Sequence, residues 1–228
     1  MIYNRIPGLV SVVIPSYNYA RYAVECLDSL RAQRYKDVEI VLVDDCSTDS
    51  TVTVVESWAN HFNGKGCNFT MVKLPRHVGY AGALTIGFYL TTGEYIAIQD
   101  LDDISAPDRI QKQIDFLAAS ELDMVGTNVA EFTDGQFDRR TVVDWISVQD
   151  DIKESYLLGR PAVCSSTLLF KGIVFDMVGG LSRHTPGLED MQFIKKCMES
   201  GAEVGNLPEV LYYARMHPAQ RFREIQSH

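Results

Sequence analysis

None of the five cysteines in this 228-residue sequence stands at CxxC spacing; Cys26, Cys46, Cys67, Cys164 and Cys197 are scattered singly. That argues against a disulfide framework and against a zinc site, and it suits a reducing compartment. No stretch approaches the roughly 20 apolar residues that a membrane helix needs. Residues 1–9 also lack the basic start and apolar run of a signal peptide, so a soluble, cytoplasmic protein with no integral membrane segment is expected. Basic clusters are missing as well: Lys and Arg number 21 against 30 Asp and Glu, a formal charge of -9. A nucleic-acid partner is therefore not expected. There is no internal repeat, low-complexity tract or Pro/Ser-rich linker, and with 46% hydrophobic residues the chain can bury one sizeable core as a single domain, residues 1–228.

What is present is an alternation. Continuously apolar runs, LVSVVIP at 9–15, VEIVLVD at 38–44, FTMVKL at 69–74 and EYIAIQD at 94–100, are separated by amphipathic stretches near 19–34, 50–60 and 79–91. Strands this apolar are buried on both faces, which predicts an α/β fold with a Rossmann-like, mainly parallel central sheet flanked by helices. The rhythm weakens afterwards. A helix is expected over 107–117, with Pro107 at its first position and Asp108 facing its dipole. LDMVGTNVA at 122–130 reads as a strand, TVVDW and SSTLLF as shorter ones, 150–158 as a helix, and 187–201 as a helix with Met191, Ile194 and Met198 on one face.

Each strand of the first half ends in polar residues: Pro15 to Asn18, then Asp44 and Asp45, then Arg76 and His77, then Asp100, Asp102 and Asp103. Open α/β sheets bind ligands beyond the carboxyl ends of their strands. Like charges crowded as in IAIQDLDD repel unless a cation or water relieves them. On an extended segment Asp100 and Asp102 share a face while Asp103 points elsewhere, and two oxygens on one side suit Mg2+ or Mn2+, which takes further ligands from water and substrate phosphates. A solvated acidic turn is the plain alternative for one cluster. Ser47 or Asp49 as a helix cap accounts for part of VDDCSTDST, but not for Asp44 and Asp45.

In this order, VSVVIPSYN, VEIVLVDDCSTDST, GYAGALTIGF, TGEYIAIQDLDD and GLEDMQF resemble the family 2 glycosyltransferases of GT-A fold, over about positions 10–195. The resemblance implies an inverting enzyme that moves a sugar from a nucleotide-diphosphate sugar to an acceptor hydroxyl with a divalent metal, Mn2+ or Mg2+. It makes residues 1–103 the nucleotide-sugar half and 104–228 the smaller acceptor half. Pro15, Tyr17 and Asn18 would border the nucleotide, the Tyr17 ring lying against the base; Asp45, with Asp44 beside it, would accept a hydrogen bond from the base, uracil N3–H. Asp100 would face the ribose and Asp102 the metal, leaving Asp103 behind them or capping a helix. Arg76 would stand near the donor, with His77 its neighbour. Asp190, beside Glu189, would be the catalytic base. LYYARMHPAQRF resembles the family's YRxH segment, offering His217 to the metal and Arg215 to a phosphate.

The QxxRW motif of processive synthases is absent and no membrane helices follow, which implies transfer of a single hexosyl unit. The chain stops soon after His217, so little material remains for an elaborate acceptor pocket. The expected partners are a UDP-sugar donor and a glycan or glycolipid acceptor, in polysaccharide or glycoconjugate assembly, with peripheral association at the inner face of a membrane compatible. Rival readings are a noncatalytic sugar- or nucleotide-sugar-binding protein that keeps the fold, and a sugar nucleotidyltransferase. The latter needs a Gly-rich basic loop after the first strand, where PSYNYARY stands. A phosphorelay receiver domain also gathers aspartates around magnesium, but its acidic pair follows the first strand.

Overall fold

The computed structural model describes residues 4–62 (without the Phe62 side chain), 68–147, 152–185, 187–218 and 220. Cys67, residues 150 and 151 of the expected helix near 150–158, and Ala219, Arg221 and Phe222 of the terminal motif lie outside the described residues. The elements are β1 (Ile6–Ser16), α1 (Ala23–Arg31), β2 (Val38–Asp44), α2 (Thr51–Phe62), β3 (Asn68–Lys73), α3 (Tyr80–Tyr89), β4 (Gly93–Ile98), β5 (Ile104–Ser105), α4 (Arg109–Ala119), β6 (Met124–Thr133), β7 (Thr141–Val142), α5 (Ile152–Leu157), β8 (Leu169–Lys171), α6 (Gly172–Val178), α7 (Glu189–Glu199) and β9 (Val204–Met216). One sheet joins them in the order β3-β2-β1-β4-β8-β6-β9-β5, with β7 on β6.

The β3-β2-β1-β4 half is parallel throughout. Its side chains alternate between two cores. Val13, Val41, Val43, Ile96 and Ile98 face one, and Val12, Ile14, Ile40, Leu42 and Ala97 face the other. Period-2 alternation with both faces buried is why these runs read as continuously apolar. Helix α3 lies close on β1: a Cβ at Gly87 would stand 2.3 Å from Val13 Cγ1, so only glycine allows this approach.

The second half is mixed. Strand β8 runs antiparallel to β4 and β6, whereas β6 and β9 are parallel. Three expectations are corrected here, and one strand is new. Helix α4 begins at Arg109, not Pro107, whose carbonyl instead accepts the Arg34 N–H at 2.8 Å. SSTLLF splits into a single tight turn, Ser165–Thr167, and the three-residue β8. The β4 strand ends at Ile98, and Asp100–Asp103 is not extended but a turn closed by the Asp103 N–H on the Asp100 carbonyl. The first half of the terminal motif, from Leu211 to Met216, lies in a 13-residue strand, β9, that hydrophobic patterning does not reveal. Its register with β6 shifts between Leu207 and Val210, where Pro208 brings no N–H to the ladder and the strand bulges.

Candidate active site

The loops at the carboxyl ends of β1, β2 and β3 are fastened to one another. Asn18 sits at φ 59°, donates its N–H to Ser47 Oγ (3.0 Å), and accepts from the N–H groups of Thr48 (2.8 Å) and Asp49 (3.3 Å). Asparagine tolerates this left-handed backbone, and here its side chain ties the β1 turn to the β2 loop. Asp49 in turn accepts the Thr51 N–H at 2.8 Å at the start of α2. The Asp45 carboxylate is buried and accepts the N–H groups of Val78 (2.6 Å) and Gly79 (2.8 Å), with His77 Nδ1 at 3.0 Å. Gly79 has φ 82°, the left-handed conformation that lets two successive amides point at one carboxylate. Asp44 accepts the Ser47 N–H at 3.0 Å through Oδ2, while its Oδ1 and the neighbouring Ser16 Oγ are buried with no hydrogen-bond partner among the described residues. The Tyr17 ring is exposed, 4.4 Å from the His77 ring. Arg76 is exposed on the same loop as His77, and Pro15 is buried within β1.

The Asp100–Asp103 turn is held by β9. Asp102 Oδ2 meets His217 Nε2 at 2.9 Å, both residues being buried. Asp103 Oδ1 accepts the Arg215 N–H at 2.7 Å, and Arg215 Nε donates to the Asp102 carbonyl at 2.8 Å. Asp103 therefore caps no helix. Burial, then the negative charges of Asp102 and Asp100, hold the Asp103 carboxyl well above the usual carboxylate range. The Asp100 N–H donates to the Tyr212 hydroxyl at 3.1 Å. Arg215 was expected at a phosphate; its guanidinium is instead taken up within the protein, by Asp134 (2.6 Å), Glu25 and the Asp102 carbonyl, between the rings of Tyr22 and Phe132. Burial works against its charge, but the hydrogen bonds to Asp134 and Glu25 raise its pKa overall. The crowded aspartates are thus held by the Arg215 main-chain amide and by the His217 imidazole, both from β9 and its end.

Helix α7 begins with the other two carboxylates. Glu189 is buried and accepts the Gly187 N–H at 2.7 Å, and Asp190 Oδ2 accepts the Ser165 hydroxyl at 2.9 Å. Burial and then the nearby Asp190 push the Tyr156 hydroxyl upward. Ser165, Tyr212 and the buried Arg109 carry no motif of their own, and sequence reasoning missed all three. The strongest available signal was the proximity of Arg109 to the Asp100–Asp103 turn.

No group of three or more His, Cys, Asp or Glu that could hold a metal occurs among the described residues. A hard cation that keeps waters and phosphate oxygens needs only one or two protein ligands. Asp102 Oδ2 and His217 Nε2 at 2.9 Å fit neighbouring corners of an octahedral ion, whose ligands at about 2.1 Å stand roughly 3 Å apart. A concavity of about 470 Å³ between α1 and α2, lined by Val24, Val54 and Trp58, holds none of the sheet-edge carboxylates.

A parallel half-sheet with acidic loops at its carboxyl edge, continued by a mixed half bearing a carboxylate at a helix start, is the architecture of the GT-A fold. The fold matches that of residues 1–349 of Staphylococcus aureus TarS in complex with UDP-GlcNAc (TM-score 0.76, 21% identity, 94% of this chain and 60% of that one). It also matches the mannosyltransferase PcManGT of Pyrobaculum calidifontis in complex with GDP-Man and Mn2+ (TM-score 0.70, 23% identity, 95% and 59%). Residues 11–170 match the model of glycosyl transferase family 2, and the chain belongs to that family. Among named relatives, EpsE of Bacillus subtilis (strain 168), described as a glycosyltransferase, is 29% identical over 210 residues, 90% of this chain and 72% of EpsE. The glycosyltransferase GlyG of Streptococcus pneumoniae serotype 4 is 33% identical over 131 residues, 57% of this chain and 42% of GlyG. The chain thus spans about 60% of the solved chains it matches. No helix among the described residues is long and apolar enough to cross a membrane.

Proposed function

We propose that this chain is a single GT-A domain, a metal-dependent, inverting, non-processive hexosyltransferase that moves one sugar from a UDP-sugar to an acceptor hydroxyl of a glycan or glycolipid, in polysaccharide or glycoconjugate assembly on the cytoplasmic side of a membrane. The observation that carries it is the Asp102–His217 pair, 115 residues apart in sequence and 2.9 Å apart in space, at the edge where the Asp45 socket also stands. Two further features support it. TarS takes UDP-GlcNAc on the same fold, and the buried, unpartnered Ser16 Oγ and Asp44 Oδ1 await a polar group, since orphaned buried polar atoms are costly.

In this reading Tyr17 stacks on the base beside His77, and Asp45 shares its carboxylate between the α3 amides and the base. Asp44 and Asn18 shape the floor, Pro15 closes it from below, Asp100 faces the ribose, and Arg76 stands at the open rim. Asp102 and His217 would hold Mn2+ or Mg2+, which, when bound, would neutralise charge on the departing diphosphate. Asp190 accepts the proton of the acceptor hydroxyl as its oxygen attacks the anomeric carbon and the bond to the diphosphate breaks. Glu189, on the Gly187 amide, anchors the start of α7. The Ser165 hydroxyl aims the Asp190 carboxylate and must yield or share it when the acceptor arrives.

The test is paired. Nucleotide sugars are screened by thermal shift with manganese, since a ligand that binds only the folded protein raises its apparent stability, and Asp190→Asn is then compared with the parent. UDP affinity is expected to be unchanged while transfer falls roughly 10²-fold or more. A parental transfer rate in Asp190→Asn moves the base elsewhere. A parent that binds UDP but transfers to no acceptor leaves a binding protein.

A further inference from the structure

Arg109, the first residue of α4, is 1% exposed and fully enclosed by neutral acceptors. Its Nε donates to Gln113 Oε1 (3.1 Å), and its Nη1 donates to Gln99 Oε1 and Ser105 Oγ (both 2.9 Å). Its Nη2 donates to the carbonyls of Ile98 (2.7 Å) and Ser166 (3.2 Å), and the Tyr212 ring lies 5.0 Å from Cζ. Burial lowers its pKa, opposed by Tyr212, Cys164, Cys26 and Asp100. A buried cation with no carboxylate on it is an unfavourable way to fill a core, and well-packed apolar side chains are often as stable or better. Stability alone does not account for it.

The two carbonyls on Nη2 belong to two separate parts of the site. Ile98 ends β4 just before the Asp100–Asp103 turn, and Ser166 follows Ser165, whose hydroxyl holds Asp190. We propose that Arg109 is a positioning residue: by clasping the Ile98 and Ser166 carbonyls on one nitrogen, it sets the placement of the donor-side aspartates relative to Asp190. This rests on the glycosyltransfer reading above for its consequence, but not for the clasp itself.

Arg109→Lys keeps the charge, but its ammonium ends short of both carbonyls and has no planar fork. Affinity for UDP with manganese and the KM for acceptor are expected within about threefold of the parent, and kcat, corrected for folded protein, about 10²-fold lower, the scale of a small misplacement of reacting groups. Amides of 99–103 and 164–167 should lose hydrogen-exchange protection together, while those of 46–50, tied by Asn18, stay as in the parent. Ser105→Ala removes one acceptor from Nη1 and leaves Nη2 in place, so its kcat is expected within about threefold of the parent. A parental kcat in Arg109→Lys, loosening confined to α4, or an equal loss in Ser105→Ala overturns the proposal. If Arg109→Lys does not fold, native-state exchange of the parent in low urea decides: the two segments should open with one free energy and one urea slope, and independent opening sinks the idea. A parent that binds no nucleoside diphosphate ends the glycosyltransfer reading, whereas separate opening of the segments ends the clasp, so the two failures are told apart.

Discussion

Two acid clusters close the carboxyl edge of the sheet, and they are held by partners from different parts of the chain. After β2, one oxygen of Asp44 accepts the amide of Ser47, three residues on, and Asp45 accepts those of Val78 and Gly79, 33 and 34 residues on, with His77 beside it. After β4, Asp102 and Asp103 are relieved by His217 and by the Arg215 segment, 115 and 112 residues away. Amide dipoles hold a carboxylate without adding a charge, so the first cluster is a rigid socket complete within β1 to α3. The second takes its partners from β9, the His217 imidazole on Asp102 and the Arg215 main-chain amide on Asp103, with the Arg215 guanidinium on the Asp102 carbonyl, and it exists only once β9 has docked on β6. Damage to β9 should therefore strip the metal side of the site and leave the base side standing.

The largest expected effect tests that division. Arg215→Met removes the cation shared by Asp134 and Glu25, together with the Nε bond to the Asp102 carbonyl. Only the Arg215 end of this cluster is buried, Glu25 being exposed and Asp134 also paired with Arg21, so the loss should be that of the charged hydrogen bonds of one buried guanidinium, about 3 kcal/mol, measured by urea unfolding. A loss smaller than that of Asp45→Ala would reverse the comparison. Next comes Asp102→Ala, expected to abolish the gain in UDP affinity that manganese gives the parent and to slow transfer roughly 10²-fold or more, the several kcal/mol that a metal contributes to a leaving diphosphate. Calorimetry with manganese and with chelator reads the first, and equal affinities for parent and variant in manganese remove Asp102 from the metal.

The same division explains what was legible in the sequence. Strands β1 to β4 and their polar ends were readable because a parallel, doubly buried sheet writes itself as apolar runs ending in loops, and local turn residues such as Asn18 and Gly79 carry their conformation in their type. The aspartates of the β4 turn were readable as a cluster, and family likeness alone singled out His217, which the structure sets against Asp102. Arg215 was misplaced because nothing local says that a buried strand will turn its guanidinium inward to Asp134. Arg109 and Ser165 were invisible for the same reason: the Ser166 carbonyl reaches Arg109 and the Asp190 carboxylate reaches Ser165 only through tertiary packing, and no spacing records that. The bulged β9 escaped because Pro208 and Glu209 interrupt its pattern.

A smaller effect probes the dipole socket. Asp45→Ala should weaken UDP binding by about 1–3 kcal/mol, the scale for losing a charged hydrogen-bond partner, in both manganese and chelator. That independence from metal is what separates it from Asp102→Ala. If the Asp45→Ala deficit vanishes in chelator, the two clusters act as one site and the contrast between them fails.

The smallest effect separates the two jobs of Asn18. Its Oδ1 holds the amides of Thr48 and Asp49, and its backbone occupies φ 59°. Asn18→Gly keeps the left-handed backbone open to the residue but removes the acceptor and frees the unfolded chain, so about 1 kcal/mol of stability should be lost. Asn18→Ala removes the same acceptor and must also hold a Cβ in that conformation, at a further cost of roughly 1 kcal/mol. Urea unfolding of the pair reads the difference. If alanine proves as stable as glycine, the turn has relaxed away from φ 59°, and the Tyr17 ring it carries should move off His77. If glycine matches the parent, the side-chain ties to the β2 loop add nothing measurable, and the first cluster owes its rigidity to the Asp45 socket alone.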